Sequence, residues 1–156
     1  KDTWKALEKL YGDGKVRAIG VSNFLIHHIQ ELLRDFDVTP AVDQVEWHPF
    51  VRQKPLHDFC KDQRIQLEAW SPLTRGKMLD NQVIDEIAEA KGKTPAQVLL
   101  RWDLQHEVVT IPKSVNYERI KENSEVFDFT LSNNEMARLD ALDSGTRIGP
   151  HPDSMS

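Results

Sequence analysis

Ile65-Gln66-Leu67-Glu68-Ala69-Trp70-Ser71-Pro72 is the stretch on which the fold turns. Ile65 to Trp70 reads as a β-strand, and Pro72 ends it because proline has no N–H to give a sheet ladder. Working upstream, Pro55 to Gln63 reads as a helix with proline in its first turn, where a missing N–H costs nothing. Ala41 to Val45 is a second strand-like run. Before it, Ile26, Ile29, Leu32, Leu33 and Phe36 mark the apolar stripe of another helix. Val16 to Val21 is a β-rich run ending in Ser22-Asn23. Asp2 to Tyr11 is a helix with Asp2 as its expected N-cap, stopped by Gly12 and Gly14. Downstream, Val83 to Ala90 is helical, and Thr94-Pro95-Ala96-Gln97 is a capping box opening a further helix. Val108 to Ile111 is a strand broken by Pro112, and Asn116 to Phe127 reads as the helix after it. Ser132-Asn133-Asn134-Glu135 is a second capping box, and Gly145 to Ser156 reads as coil.

One helix followed by a recurring strand-helix alternation predicts an α/β protein with a parallel sheet and right-handed crossovers. An open doubly wound sheet and half of a closed barrel both satisfy that pattern. A Gly-rich strand-to-helix fingerprint is missing, which speaks against a dinucleotide-binding domain of the open kind. The 156 residues suit one globular unit but fall short of the about 250 that a complete eight-fold α/β barrel needs.

Composition narrows the partners. The formal charge is -5, whereas nucleic-acid and anionic-membrane surfaces attract a surplus of Lys and Arg. Any anion site must therefore be a local basic cluster. Apolar runs stay well short of the ~20 residues of a membrane span, and the opening Lys1-Asp2-Thr3 does not read as a secretion leader. Cys60 is the single cysteine and has no internal disulfide partner, so a reducing cytoplasm is the expected compartment. On an amphipathic helix it reads as a buried small apolar group.

In parallel α/β proteins, ligands bind beyond the C-terminal ends of the strands. The first strand ends in Ser22-Asn23, the second carries Gln44 near its end, the third ends in Trp70-Ser71, and the fourth in Lys113-Ser114. Amide and hydroxyl groups suit a neutral carboxamide, and an indole offers a flat face to a planar heterocycle. Lys113 and Ser114 precede a helix whose N–H groups favour phosphate, and Arg119 adds a guanidinium fork matched to phosphate oxygens. Taken singly, each of these residues is ordinary loop chemistry. Together they sketch a nicotinamide dinucleotide laid across the strand tips.

The runs Ile19-Gly20-Val21-Ser22-Asn23-Phe24, Asp43-Gln44-Val45-Glu46, Glu68-Ala69-Trp70-Ser71-Pro72-Leu73, Ile111-Pro112-Lys113-Ser114-Val115 and Arg119-Ile120-Lys121-Glu122-Asn123 resemble the aldo-keto reductase family, in order along the whole chain. The resemblance implies a parallel (β/α) half barrel, the C-terminal part of a (β/α)8 TIM barrel. Residues 1–156 would be the C-terminal half of a single barrel domain whose N-terminal half is absent. It also implies an oxidoreductase that uses NADPH to reduce aldehydes or ketones. By matching position, Ser22, Asn23 and Gln44 would hold the nicotinamide carboxamide and Trp70 would stack on the ring. Ser71 and Leu73 would lie against the pyrophosphate. Lys113, Ser114 and Arg119 would hold the 2′-phosphate, with Asn116, Glu122 and Asn123 near the adenosine. Two cations near one hydroxyl favour NADPH over NADH, which brings them no phosphate to neutralise.

The family's catalytic Asp, Tyr, Lys and His belong upstream of residue 1 in its order, so no catalytic residue is assigned here. Tyr11 closes a helix and Tyr117 opens one; both read as packing residues, as do Trp4, Trp47 and Trp102. No metal site is expected: His27 and His28 point about 100° apart on a helix, and His48, His57, His106 and His151 are scattered without acidic partners at ligand spacing. A half barrel leaves two edge strands open, so the expected partners are a small carbonyl substrate and either the chain's own N-terminal half or a second copy. Two rival readings remain: a non-catalytic nucleotide-binding or regulatory protein on the same scaffold, and a scaffold fragment that binds nothing. The resemblance further implies that the C-terminal tail helps shape the substrate pocket, with Gly149-Pro150-His151-Pro152 as a candidate wall.

Overall fold

The computed structural model describes residues 1–154. Four strands, β1 (Val21–Ser22), β2 (Val42–Glu46), β3 (Gln66–Trp70) and β4 (Val109–Thr110), form one sheet in the order β1-β2-β3-β4, and every pairing is parallel. The helices between them are α1 (Asp2–Gly12), α2 (Ile26–Asp35), α3 (Lys54–Asp62), α4 (Gln82–Lys91), α5 (Pro95–Gln105), α6 (Tyr117–Ser124) and α7 (Asn133–Asp140). Sequence neighbours are sheet neighbours throughout, as successive right-handed crossovers require. No helix among the described residues is long and apolar enough to cross a membrane.

The pleat of the sheet sets its two faces. Val45, Leu67 and Ala69 are buried and join Ile29, Trp47, Ile84, Val98, Leu99 and Trp102 in the core between sheet and helices. Each such aliphatic side chain gains about 1.5–3 kcal/mol on full burial. Alternate residues of the same strands point the other way, so Gln44, Glu68 and Trp70 are only half-buried. Trp4, Ile19 and Leu32 form a second, smaller cluster beside α1 and α2.

Helix starts follow the capping chemistry of the sequence. The Thr94 hydroxyl accepts from Gln97 N–H while the Gln97 side chain accepts from Thr94 N–H, at 3.3 and 3.0 Å. Ser132 and Glu135 make the same reciprocal pair at the head of α7. Asn81 caps α4 by accepting from Val83 and Ile84 N–H.

Several boundaries differ from the sequence expectation. Asp2 is the first helical residue of α1 and Lys1 holds the N-cap position. The first strand is far shorter than Val16 to Val21: Val21 and Ser22 alone pair in register with β2, and before them only Ile19 carbonyl takes a bond, from Ala41 N–H at 2.8 Å. The fourth strand keeps Val109 and Thr110. Both shortened strands lie at the sheet edges, where a neighbour on one side alone defines the ladder. α6 stops at Ser124 rather than Phe127 because it buries none of its residues, and Phe127 is 77% exposed. The tail read as coil contains a short 3-10 turn, Pro152–Ser154; Met155 and Ser156 lie outside the described residues.

Candidate functional site

Three strand tips bring four of the expected residues into one hydrogen-bonded group. Trp70 Nε1 donates to Asn23 Oδ1 at 2.7 Å, and Asn23 Nδ2 donates to Ser22 Oγ at 3.1 Å. Ser22 Oγ donates to the Gln44 carbonyl at 3.0 Å, while Gln44 Nε2 donates to Glu68 Oε1 at 2.6 Å. Asn23 has a left-handed backbone (φ 58), which asparagine tolerates better than most side chains and which turns the chain off β1. Asp43 helps fix that turn, its Oδ1 accepting from Phe24 N–H at 3.3 Å. The chain of bonds commits the Gln44 amide N–H to Glu68. The Gln44 side-chain oxygen, Oε1, has no partner among the described residues, unlike the backbone carbonyl that Ser22 engages, so it can accept from a carboxamide N–H.

A cleft of about 910 Å³ begins at Ser71, the residue after Trp70, and runs to the head of α6. Ser71, Leu73, Lys113, Ser114, Arg119, Glu122 and Asn123 all line it, together with Arg75, Thr94 and Ile111. Asn116 is not among its lining residues: it caps α6, its Oδ1 accepting from Arg119 N–H at 3.1 Å. Glu122 is already engaged, accepting from the Thr94 hydroxyl at 2.7 Å. The cleft thus holds three cations, Arg75, Lys113 and Arg119, against one occupied carboxylate. None of the three cations takes part in an ion pair among the described residues. In a chain of net charge -5, uncommitted cations around one hollow make a donor set suited to a polyanion.

Arg75 was not picked out by sequence reasoning. It sits in the turn after β3, with its guanidinium 6.0 Å from the Trp70 ring centre and its Nε donating to Ser71 Oγ at 3.3 Å. A single arginine between Pro72 and Gly76 was the available signal. Glu46 was also passed over, although it stands inside one of the runs that carry the resemblance. It is fully buried and lies opposite Trp70 in the β2–β3 register.

Residues 1–144 match the family described as Aldo/keto reductase family. The chain belongs to it. Glyoxal reductase of Bacillus subtilis (strain 168) is 61% identical over 155 residues, which take in 99% of this chain and 56% of that protein. Methylglyoxal reductase DkgA of Escherichia coli (strain K12) is 44% identical over 154 residues, 97% of this chain and 56% of that protein. Among solved structures, Gox0644 in its apo form superposes with a TM-score of 0.95 at 41% identity, covering 99% of this chain and 57% of the other. A variant of Gox0644 solved in complex with NADPH gives the same values. This aldo/keto reductase chain spans about half the length of the curated relatives it matches. Its four-stranded parallel sheet is accordingly half of such a barrel, as the sequence implied.

Two groups outside the cleft bear on the histidine reading. The expectation of no acidic partners is corrected for His48 and His106, whose Nε2 atoms meet Glu46 Oε1 at 3.2 Å and Asp140 Oδ1 at 2.8 Å. His27 and His28, expected to point about 100° apart, nevertheless both reach Asp153: its Oδ1 lies 3.2 Å from His27 Nε2 and 3.5 Å from His28 Nε2, because the tail folds back over the head of α2. These three residues are close enough to share an ion. The chemistry of His28 argues against one. Its Nδ1 accepts from Leu25 N–H at 3.1 Å, so the neutral ring carries its proton on Nε2 and presents a donor, not a lone pair, to the centre of the cluster. Cys60 is buried as expected, and burial first, then the charge of Asp43, pushes its thiol up to about 12.

Proposed function

We propose that this chain forms the NADPH-binding half of an oxidoreductase that reduces a small aldehyde or ketone to an alcohol. The observation that carries the reading is the pairing of the Ser22–Asn23–Gln44–Trp70 group with a cleft whose three cations are unpaired. Bound there, the coenzyme would supply the hydride. Ser22, Asn23 and Gln44 orient the carboxamide, and Trp70 offers its face to the ring. Ser71, Leu73 and Arg75 flank the pyrophosphate. Lys113, Ser114 and Arg119 neutralise the 2′-phosphate, with Glu122 and Asn123 toward the adenosine and Asn116 holding the α6 head that presents Arg119. The names of the relatives, glyoxal reductase and methylglyoxal reductase, support small carbonyl compounds as the substrate class.

The proton for the carbonyl oxygen comes, in this reading, from residues beyond this chain. Tyr11 and Tyr117 stand at helix ends, 43% and 75% exposed, and neither occupies a strand tip. The open edges point to the same need. Val109, Ile111 and Val115 along the β4 side are 42%, 44% and 87% exposed, an apolar border that the protein's own N-terminal half or a second copy would cover.

Titration of the chain with NADPH and NADH, read by tryptophan fluorescence, tests the proposal. NADPH is expected to quench and to bind at least about tenfold tighter than NADH, the scale of one charge-assisted contact. Absence of quenching by either would sink it. Quenching without any carbonyl-dependent loss of NADPH absorbance, in the barrel completed by its N-terminal half, would favour a non-catalytic nucleotide-binding role.

A further inference from the structure

Glu46 is a carboxylate with 0% exposure on the inner side of β2, and the cofactor reading gives it no task. Its partners come mostly from the C-terminal tail, about a hundred residues away. Ile148 N–H and Gly149 N–H both donate to it, the latter at 3.4 Å to Oε1 and 3.3 Å to Oε2. His48 Nε2 lies 3.2 Å from Oε1, and Arg147 Nη1 lies 3.7 Å from Oε2. Arg147 is held in turn by Gln53, whose own amide donates to the Glu46 carbonyl at 2.7 Å. Burying a carboxylate is costly unless charge and donors surround it. Here they do, and most of them belong to the tail.

What the tail meets at that point is Trp70. An added Cβ on Gly149 would stand 2.5 Å from Trp70 Cη2, so the backbone lies directly on the indole edge and any larger residue there must displace the ring. Beyond it, Asp153 is fastened to the His27 and His28 Nε2 groups at the head of α2. The tail therefore crosses the nicotinamide end of the site, pinned at both sides.

We propose that Glu46 is a positioning residue: through Ile148 and Gly149 it clamps the tail onto Trp70 and so holds the indole in place at the nicotinamide end of the site. The proposal rests on the cofactor reading for its function, but the clamp itself is measured without coenzyme. Glu46→Gln keeps size and polarity while losing the charge and one acceptor. Amide exchange at Ile148 and Gly149 is expected to quicken by about tenfold, as for loss of a charge-assisted bond, with the β2–β3 amides unchanged. The Trp70 contribution to acrylamide quenching, obtained by difference from Trp70→Phe, should rise in the same variant.

Gly149→Ala attacks the contact from the other side and leaves Glu46 in place. It should release Trp70 to the quencher while Glu46 still holds the Ile148 amide. Unchanged tail exchange and unchanged Trp70 quenching in Glu46→Gln would overturn the clamp. So would equal loosening of the β2–β3 amides in both variants, since that marks a general loss of packing. A wild-type chain that shows the clamp yet fails to bind NADPH would refute the cofactor reading and leave the clamp standing.

Discussion

Trp70 Nε1 and Asn23 Oδ1 lie 2.7 Å apart and join two strand tips separated by 47 residues in sequence. The bond fixes the tilt of the indole face and commits the Asn23 side-chain carbonyl; one amide N–H goes to Ser22 Oγ at 3.1 Å, which leaves the other for the ligand side. Asn23→Ala removes both effects, and alanine also tolerates the left-handed backbone at this position poorly. Both NADPH and NADH should weaken by about 1 kcal/mol, a typical net hydrogen bond, because the nicotinamide end is common to them. Parallel fluorescence titrations check this, and a loss confined to NADPH would contradict it.

Lys113 and Arg119 predict the opposite selectivity. Each is an exposed cation on the cleft wall with no carboxylate ion-paired to it among the described residues. Lys113→Ala or Arg119→Ala should weaken NADPH by about 1.5–3 kcal/mol each, the range for bonds to charged groups, with NADH hardly changed. Equal losses for both coenzymes would show that the 2′-phosphate lies elsewhere.

Gly20 gives a packing test of the same site. A Cβ there would stand 2.7 Å from the Val42 carbonyl oxygen, which is backbone and cannot step aside. Gly20→Ala should push β1 away from β2 and cost about 1–3 kcal/mol, the usual price of overpacking. Thermal unfolding would show the loss, and the coenzyme titration should weaken with it because Ser22 and Asn23 ride on β1.

What could be read from the chain follows from which physics is local. Capping pairs such as Thr94 with Gln97 are complete within four residues, so both capping boxes were legible. The strand-helix alternation likewise declared the parallel sheet. Strand length at the edges was not legible, since Val16 to Gly20 has β-forming side chains but gains a ladder only where a neighbour exists. The cleft residues could be named because strand tips in this architecture share one end of the molecule. Glu46 and Asp153 could not, because their partners lie about a hundred residues away and only the folded tail brings them together.

Asp43 carries the pH prediction. It is buried under the β1–β2 tips, its Oδ2 has no partner, and burial pushes its carboxyl up to about 7 against the single N–H bond from Phe24 that favours ionisation. Unfolded, it titrates near the ordinary value of about 3.9. Between roughly pH 4 and 7 the unfolded chain has released this proton while the folded chain keeps it, so the contribution of Asp43 to stability falls as pH rises. Above about pH 7 both states are ionised and the loss, at most a few kcal/mol, persists. Asp103, fully buried and also raised by desolvation, acts with the same sign. His48, His57 and His106, all lowered by burial, act the other way on the acid side, but a single substitution at Asp43 leaves them unchanged. Asp43→Asn stays neutral and keeps an acceptor for Phe24 N–H. The fall in melting temperature from pH 5 to pH 8 should therefore be smaller in Asp43→Asn than in the parent, by about 4 °C or more at 2–4 °C per kcal/mol. Identical pH dependence in the two proteins would mean that Asp43 ionises at its ordinary value in the fold.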